Sequence, residues 1–327
     1  MTARFTAVVL ALVLISAGVH AALPADAFYE PSRPRFTLTT TRDISINFAP
    51  KNRALDLRVT YPIDGEHLPV IIWSHGAFGS REAYAPLVGY WAARGYVVIQ
   101  PTHQDSIKKG TIPLLSNPFA FREWDVRPQE ISYIIDHLGD VAAAVPGLGR
   151  AMNRDVIGVG GHSYGAHTTM LLAGMTVNTG ILKKQRKSFA DPRPRVFVMV
   201  SPQGTGRIID TQSFSTMTPP SLFVTGSKDE VGVNPPPYTW RLEPFQHAPP
   251  RDKYLLFIDG AHHGFGGISG RRFPGSGEDD SDQVEAVRSV ALAMFDAYLK
   301  NDPDARAYLI HNALSEASAG RFQLTGK

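Results

Sequence analysis

The chain has 327 residues, a formal net charge of +3 at neutral pH and no cysteine. So small a charge gives no reason to expect a nucleic-acid partner, and without cysteine neither disulfides nor thiolate metal sites can form. The histidines lack zinc-site spacing, and no P-loop or dinucleotide-binding glycine motif follows a strand, so we expect neither a metal nor a cofactor.

The first 21 residues are typical of a signal peptide. Arg4 precedes an apolar run at residues 5–19, and small residues allow cleavage after Ala21, or alternatively after Ala22. The run is shorter than the roughly 20 residues that span a bilayer. We therefore expect an exported mature chain, periplasmic or secreted, with no stable membrane span.

Apolar runs and helical patterns alternate along the rest of the chain. Strands are predicted at residues 42–48, 55–61, 70–74, 96–100, 156–160, 195–200, 221–225 and 254–258. Helices are predicted at residues 83–94, 129–138, 166–175 and 282–300. Gly95 is the expected C-cap of the first helix, and Pro101 should end the strand before it.

This order predicts an α/β fold, in which a mostly parallel central sheet is flanked by helices on both faces. Residues 22–327 are expected to form a single domain with three long loop insertions, at residues 102–127, 177–194 and 231–251. Loops of this length often form lids or substrate walls.

Two of these loops carry distinctive side chains. The aromatic residues Phe119, Phe121 and Trp124 either fix the first loop to the core or line a substrate site. The basic run Lys183-Lys184-Gln185-Arg186-Lys187 in the second loop predicts a solvated face, or alternatively a weak contact with a lipid surface.

A Gly-x-Ser-x-Gly motif, with Ser163 at its centre, lies between a predicted strand and a predicted helix. That context is typical of a sharp turn that exposes a nucleophilic serine, and Gly161 and Gly165 permit close backbone passage there. A serine hydroxyl is a weak nucleophile unaided, so the motif predicts a base and an acid elsewhere.

Candidates for both groups follow predicted strands, where ligands of such sheets bind. Asp229 comes after the strand at 221–225, whereas the adjacent Glu230 should point away. His262 and His263 both come after the strand at 254–258, and only one of them can face the serine. The order serine, aspartate, histidine is the one that this chemistry has on such a sheet.

An oxyanion hole needs two backbone N–H groups aimed at the developing negative charge. Tyr164, directly after the serine, is one expected donor. Ala77 in the loop at residues 74–80 is the other, with Phe78 as the alternative. His75 and His162 are expected to be structural.

Together these residues resemble the α/β-hydrolase superfamily and, more narrowly, bacterial serine esterases similar to dienelactone hydrolases and platelet-activating-factor acetylhydrolases. The similarity lies in residues 73–82, 87–92, 94–98, 127, 131–138, 160–165, 226–229 and 260–265. Relatives commonly read Gly-Ala-x-His in the last motif, which implies that His263 is the base. The resemblance implies an esterase without a cofactor.

The chain also departs from these families. Residues 201–204 hold no acid where acetylhydrolases tend to have theirs, and the cysteine nucleophile of dienelactone hydrolases is missing. We expect hydrolysis of small or lipid-type esters through Ser163, Asp229 and His263. The alternatives are an amidase, peptidase or lyase, a polyester or cutin-like hydrolase, and an inactive binding protein.

Overall fold

The computed structural model describes residues 22–33, 35–112, 123–180, 185–232 and 235–327. The predicted signal peptide, Phe119, Phe121, Lys183 and Lys184 lie outside these ranges. The described strands are β1 (Leu38–Phe48), β2 (Arg53–Pro62), β3 (Leu68–Ser74), β4 (Val97–Thr102), β5 (Met152–His162), β6 (Val177–Asn178), β7 (Arg186–Lys187), β8 (Pro194–Val200), β9 (Ser221–Lys228), β10 (Lys253–His262) and β11 (Phe322–Gly326).

Within the described residues, nine of these strands form one sheet in the order β1-β2-β4-β3-β5-β8-β9-β10-β11. The six strands from β4 to β10 in this order run parallel, and antiparallel strands complete both edges. The prediction of a mostly parallel sheet is confirmed. The carboxyl ends of the parallel strands therefore meet at one edge, which we call the carboxyl edge.

Helices cover both faces of the sheet. They are α1 (Ala85–Ala92), α2 (Arg127–Asp136), α3 (Leu138–Ala143), α4 (Leu148–Ala151), α5 (Tyr164–Leu172), α6 (Glu243–His247), α7 (Ser281–Leu299), α8 (Pro303–Ile310) and α9 (Ala313–Ala317). One apolar core packs α1, α7, α8 and α9 against the sheet, and a second core packs α2, α3, α4 and α5 on the opposite face. Alternate residues of the central strands β3, β4, β8 and β9 enter the two cores, which is why these strands read as continuous apolar runs.

Two predicted boundaries are wrong for identifiable reasons. Strand β4 continues through Pro101 to Thr102, because Pro101 pairs with Leu57 of β2. Pairing with β3 already ends at Ile99, so the missing N–H leaves no bond unmade on that side. The helix predicted at 129–138 begins earlier, at Arg127, and a second helix starts at Leu138.

The first and third long loops contribute residues to a cleft at the carboxyl edge, whereas no described residue of the second loop lines it. In the second loop, Arg186 binds the carboxylate of Asp210 at 2.8 Å, and Lys187 lies 3.5 Å from Asp125. These two cations of the basic run are therefore paired. Across the described ranges, no helix combines the length and the apolar character that crossing a membrane requires.

Candidate active site

Ser163 lies between β5 and α5 in a backbone conformation that side-chain-bearing residues rarely adopt, with φ 58° and ψ −117°. Its N–H donates to the carbonyl of Val200 at 2.8 Å, and its carbonyl accepts from Gln203 Nε2 at 3.0 Å and the His167 N–H at 3.1 Å. Strained residues of this kind cost about 1–3 kcal/mol and persist where the surroundings fix them.

The two glycines of the motif allow this turn to form. A Cβ atom at Gly165 would lie 2.0 Å from the carbonyl oxygen of Ser74, and one at Gly161 would lie 2.5 Å from the backbone of Gly165. No side chain fits at either position, so β3, β5 and α5 can approach one another only with glycine there.

Two side chains extend from Ser163 in one hydrogen-bonded line. Nε2 of His263 lies 2.9 Å from the Ser163 Oγ, and Nδ1 of the same ring lies 2.7 Å from Oδ1 of Asp229. His263 directly follows β10, and Asp229 directly follows β9. The structure thus brings together the three residues that the sequence placed after separate strands.

Asp229 is fully buried and well supported. The Ser201 hydroxyl donates to its Oδ1 at 2.9 Å, the Thr225 hydroxyl donates to its Oδ2 at 3.0 Å, and Arg241 Nε lies 3.2 Å from Oδ1. Burial alone would raise the pKa of this carboxyl group, but Arg241, His263 and Ser201 together lower it to about 2. The group is therefore a carboxylate at neutral pH.

The neighbours of these residues point elsewhere. His262 ends β10, and its ring lies against Gly277, where an added Cβ would come within 2.8 Å of the imidazole Cγ. The exposed Glu230 accepts a hydrogen bond from the Tyr238 N–H at 3.2 Å. His263 is thus the member of the histidine pair that reaches Ser163.

The loop at residues 75–79, which we call the β3 loop, forms the wall opposite His263. Ala77 and Tyr164, the two expected oxyanion donors, both line the cleft that contains Ser163. The N–H of Phe78 donates instead to Oδ2 of Asp105 at 3.2 Å. Because the Phe78 N–H already makes this bond, the Ala77 N–H is the candidate oxyanion donor from this loop.

A buried ion pair holds the β3 loop from beneath. Arg127 donates to both carboxylate oxygens of Asp105, at 2.9 and 2.7 Å, and to the carbonyl of His75 at 2.7 Å. Burial would raise the pKa of Asp105, but Arg127 holds it well below its usual range. The guanidinium also lies over the ring of Tyr164, 4.2 Å from its centroid.

A second buried chain lies beside this pair. Glu130 Oε2 lies 2.6 Å from Nδ1 of His103, whose Nε2 lies 2.8 Å from the hydroxyl of Ser74. All three residues are at most 1% exposed, and Arg53 pairs with the other oxygen of Glu130 at 2.7 Å. None of these three residues lines the cleft around Ser163, so we interpret this serine–histidine–glutamate chain as support for the end of β3.

The two walls of the cleft are joined by a relay of hydrogen bonds. The Gly76 N–H donates to the Tyr84 hydroxyl at 3.0 Å, and that hydroxyl lies 2.9 Å from His162 Nδ1. His162 Nε2 lies 2.9 Å from the carbonyl of His263, which can only accept. Nε2 therefore carries the proton, and Nδ1 accepts from Tyr84. Burial lowers the pKa of His162 well below its usual value, so the ring is neutral.

A comparison with known proteins supports what this geometry indicates. A family model of platelet-activating factor acetylhydrolase, isoform II, matches residues 50–118, roughly a fifth of the chain. The match spans β3, the β3 loop, α1 and β4 within a sheet of matching architecture. The protein has the α/β-hydrolase fold. Its similarity to the acetylhydrolase family indicates a hydrolase that acts on esters.

The match ends before Ser163, Asp229 and His263, so their part in this α/β hydrolase rests on geometry. No curated protein matches the chain. In the described part of the hydrolase, no group of three or more histidine or acidic side chains could hold a metal ion. That no cofactor takes part stays a prediction.

Several supporting residues of the hydrolase were not recognised in the sequence. Ser201 follows β8 just as Asp229 follows β9, so the same rule of polar residues after strands could have found it. Asp105 lies three residues after β4. Arg241 had no such signal, because it lies in a short 3-10 helix (Tyr238–Leu242), 12 residues after Asp229.

Proposed function

We propose that this protein is an exported serine hydrolase that cleaves carboxylic esters through an acyl-enzyme. Ser163 is the nucleophile, His263 is the base and Asp229 orients the histidine. The observation that carries this proposal is the continuous hydrogen-bonded line from Ser163 Oγ through the His263 ring to Asp229. Its two distances lie within the reach that proton transfer between side chains needs.

The proton positions follow from the partners. Asp229 is ionised, so Nδ1 of His263 donates to it, and Nε2 is left to accept the proton of the Ser163 hydroxyl. As Oγ bonds to the ester carbonyl carbon, that proton passes to Nε2 and the carbonyl oxygen becomes an oxyanion. Asp229 stabilises the imidazolium that results.

The oxyanion lies between the two cleft walls. We assign its stabilisation to the backbone N–H groups of Ala77 and Tyr164, which belong to the β3 loop and to the first turn of α5. Losing one such donor typically lowers kcat by about 100-fold to 1000-fold. Collapse of the intermediate transfers the proton from Nε2 to the leaving alcohol and leaves Ser163 acylated.

Water completes the cycle by the same path. His263 takes a proton from a water molecule, the resulting oxygen attacks the acyl carbonyl, and Ser163 leaves with the proton returned. The cleft around Ser163 has a volume of about 1150 Å³ and is lined mainly by apolar atoms. That volume favours small or lipid-type esters as substrates.

The test uses the adjacent histidines as a matched pair. Hydrolysis of p-nitrophenyl esters from acetyl to palmitoyl is measured for the mature protein, Ser163→Ala, His263→Gln and His262→Gln. We expect Ser163→Ala and His263→Gln to lose roughly 10⁴-fold or more in kcat, and His262→Gln to stay within about twofold. The chain-length optimum would report the size of the acyl site.

A serine-directed fluorophosphonate probe provides a second readout. Labelling of the wild type that disappears in Ser163→Ala is expected. Equal ester turnover in all four proteins would reject Ser163 and His263 as the catalytic residues. Turnover of amides alone would reject the ester assignment and favour the amidase alternative. Export is tested by fractionating cells and sequencing the mature N-terminus, which we expect at Ala22 or Leu23.

A further inference from the structure

The cleft around Ser163 has an unbalanced set of charges. Among the described residues that line it there is no aspartate and no glutamate, whereas four arginines are present: Arg207, Arg241, Arg271 and Arg272. The undescribed residues between 34 and 234 include no acidic residue either, so they add no carboxylate to this balance.

Two of the four arginines are neutralised locally. Arg241 lies 3.2 Å from Asp229, and Arg272 lies 2.8 Å from Asp279, which is outside the cleft. Arg207 and Arg271 form no ion pair with any described residue, and their guanidinium groups make no hydrogen bond within the same ranges. Both side chains are exposed to solvent. We call these two residues the arginine rim.

The arginine rim is built by the two connections that also carry catalytic-site residues. Arg207 lies between β8 and β9, six residues after Ser201, and Arg271 follows β10, eight residues after His263. The cleft that these arginines share with Ser163 is lined mainly by apolar atoms, and its lining includes Ile208 and Phe273, which are close in sequence to Arg207 and Arg271. An ester that combines an apolar part with a charged group fits this combination of surfaces.

We propose that Arg207 and Arg271 bind an anionic group of the ester substrate, remote from the carbonyl that Ser163 attacks. This inference rests on the proposed function and specifies its substrate class. Guanidinium groups bind carboxylate and phosphate through paired, charge-assisted hydrogen bonds, so both anions are candidates. Since no described carboxylate lines the cleft, an anionic group of the substrate meets no like charge there.

The experiment compares matched anionic and neutral esters. Mono-p-nitrophenyl glutarate is set against its methyl ester, and dihexanoyl phosphatidic acid against dihexanoylglycerol, so that carboxylate and phosphate are tested separately. For at least one pair we expect kcat/KM to favour the anionic ester by about tenfold at low salt. The preference should act mainly on KM and should weaken at about 0.5 M salt, where screening lengths shorten to a few ångströms.

The double variant Arg207→Gln with Arg271→Gln should remove this preference and leave kcat/KM for the neutral ester within about twofold. Arg154→Gln with Arg195→Gln is the matched control, because both are exposed arginines near the starts of β5 and β8, at the opposite edge of the sheet. It removes the same two charges without touching the rim, so the preference should persist. Equal preference in the wild type and the double variant would overturn the proposal.

A binding measurement separates this inference from the proposed function. Calorimetric titration of glutarate and of glycerol phosphate into Ser163→Ala needs no turnover. Binding that is lost in the arginine double variant would support the rim even if no ester were hydrolysed. Neither binding nor an anionic preference, in a protein that hydrolyses neutral esters, would reject the rim and leave the esterase proposal standing.

Discussion

Two buried aspartate–arginine pairs lie on opposite sides of Ser163. Asp229 with Arg241 supports the histidine side, and Asp105 with Arg127 supports the β3 loop. All four residues are at most 5% exposed, and both carboxyl groups have lowered pKa values. The pairs therefore have the same composition and nearly the same burial.

The two pairs differ in the groups that the carboxylate contacts besides its arginine. Asp229 binds the imidazole that gains and loses a proton in the proposed mechanism, whereas Asp105 binds the N–H of Phe78 in the β3 loop. Under the proposed function, the first pair acts on protonation and the second on position. Burial and charge thus do not distinguish the two pairs, whereas the further contacts of each carboxylate do.

The largest effect on kcat is expected for the pair on the histidine side, because Asp229 contacts the histidine that transfers protons in the proposed mechanism. In Asp229→Asn the amide can donate to Nδ1 and would stabilise the wrong tautomer of His263, so we expect kcat to fall about 10⁴-fold with KM little changed. Steady-state kinetics on an ester substrate measure this. Glu230→Gln is the adjacent control and should retain activity within about twofold. A loss below tenfold in Asp229→Asn would mean that Asp229 does not set the tautomer.

For the pair of Asp105 and Arg127, we expect a smaller effect on kcat and a larger effect on the free energy of unfolding. Arg127→Met leaves Asp105 charged and buried, which should lower the free energy of unfolding by about 3–5 kcal/mol. Displacement of the Ala77 N–H should also lower kcat by roughly 100-fold. Urea unfolding and ester kinetics give the two values.

The control for this variant is Arg150→Met, since Arg150 is 59% exposed and pairs with Glu66, which is 62% exposed. A surface pair contributes about 0–1 kcal/mol, so the control should change stability only slightly and kcat not at all. Similar unfolding free energies for both variants would show that Arg127 does not hold the β3 loop.

The smallest effect is expected on the stability of the fold as the pH is lowered. Burial and nearby Arg127 lower the pKa values of His75 and His103 in the β3 loop region, so both rings are neutral in the folded state. The unfolded rings bind protons below about pH 6.5, so stability should fall as pH drops through that value, by at most about 1.4 kcal/mol per pH unit for each ring.

The same argument predicts where the structure loosens first. His162, whose pKa is also lowered, contacts both cleft walls, whereas His75 and His103 lie on the side of the β3 loop. Between pH 7 and pH 5, the amide protection factors, which correct for the slower intrinsic exchange at lower pH, should therefore fall more at residues 76–79 than at residues 201–204. An equal fall in both segments would remove the distinction between the two sides.

The sequence predicted the sheet and the three residues after β5, β9 and β10 because those signals are local. Strand periodicity, the Gly-x-Ser-x-Gly turn and polar residues after strands each lie within a few positions. Strand β11 was missed, since a five-residue edge strand carries little pattern. The partnership of Arg127 with Asp105 was missed because 22 residues separate them and only folding brings them together.

The relay from Gly76 to His263 has a consequence for experiments on both sides of the cleft. Each group in it has its donor and acceptor roles fixed by its neighbours, so the relay has a single direction. The His162 ring lies in the middle, bonded to Tyr84 at Nδ1 and to the His263 carbonyl at Nε2. An NMR signal from the His162 imidazole proton would therefore shift when either cleft wall moves, and one resonance could monitor both.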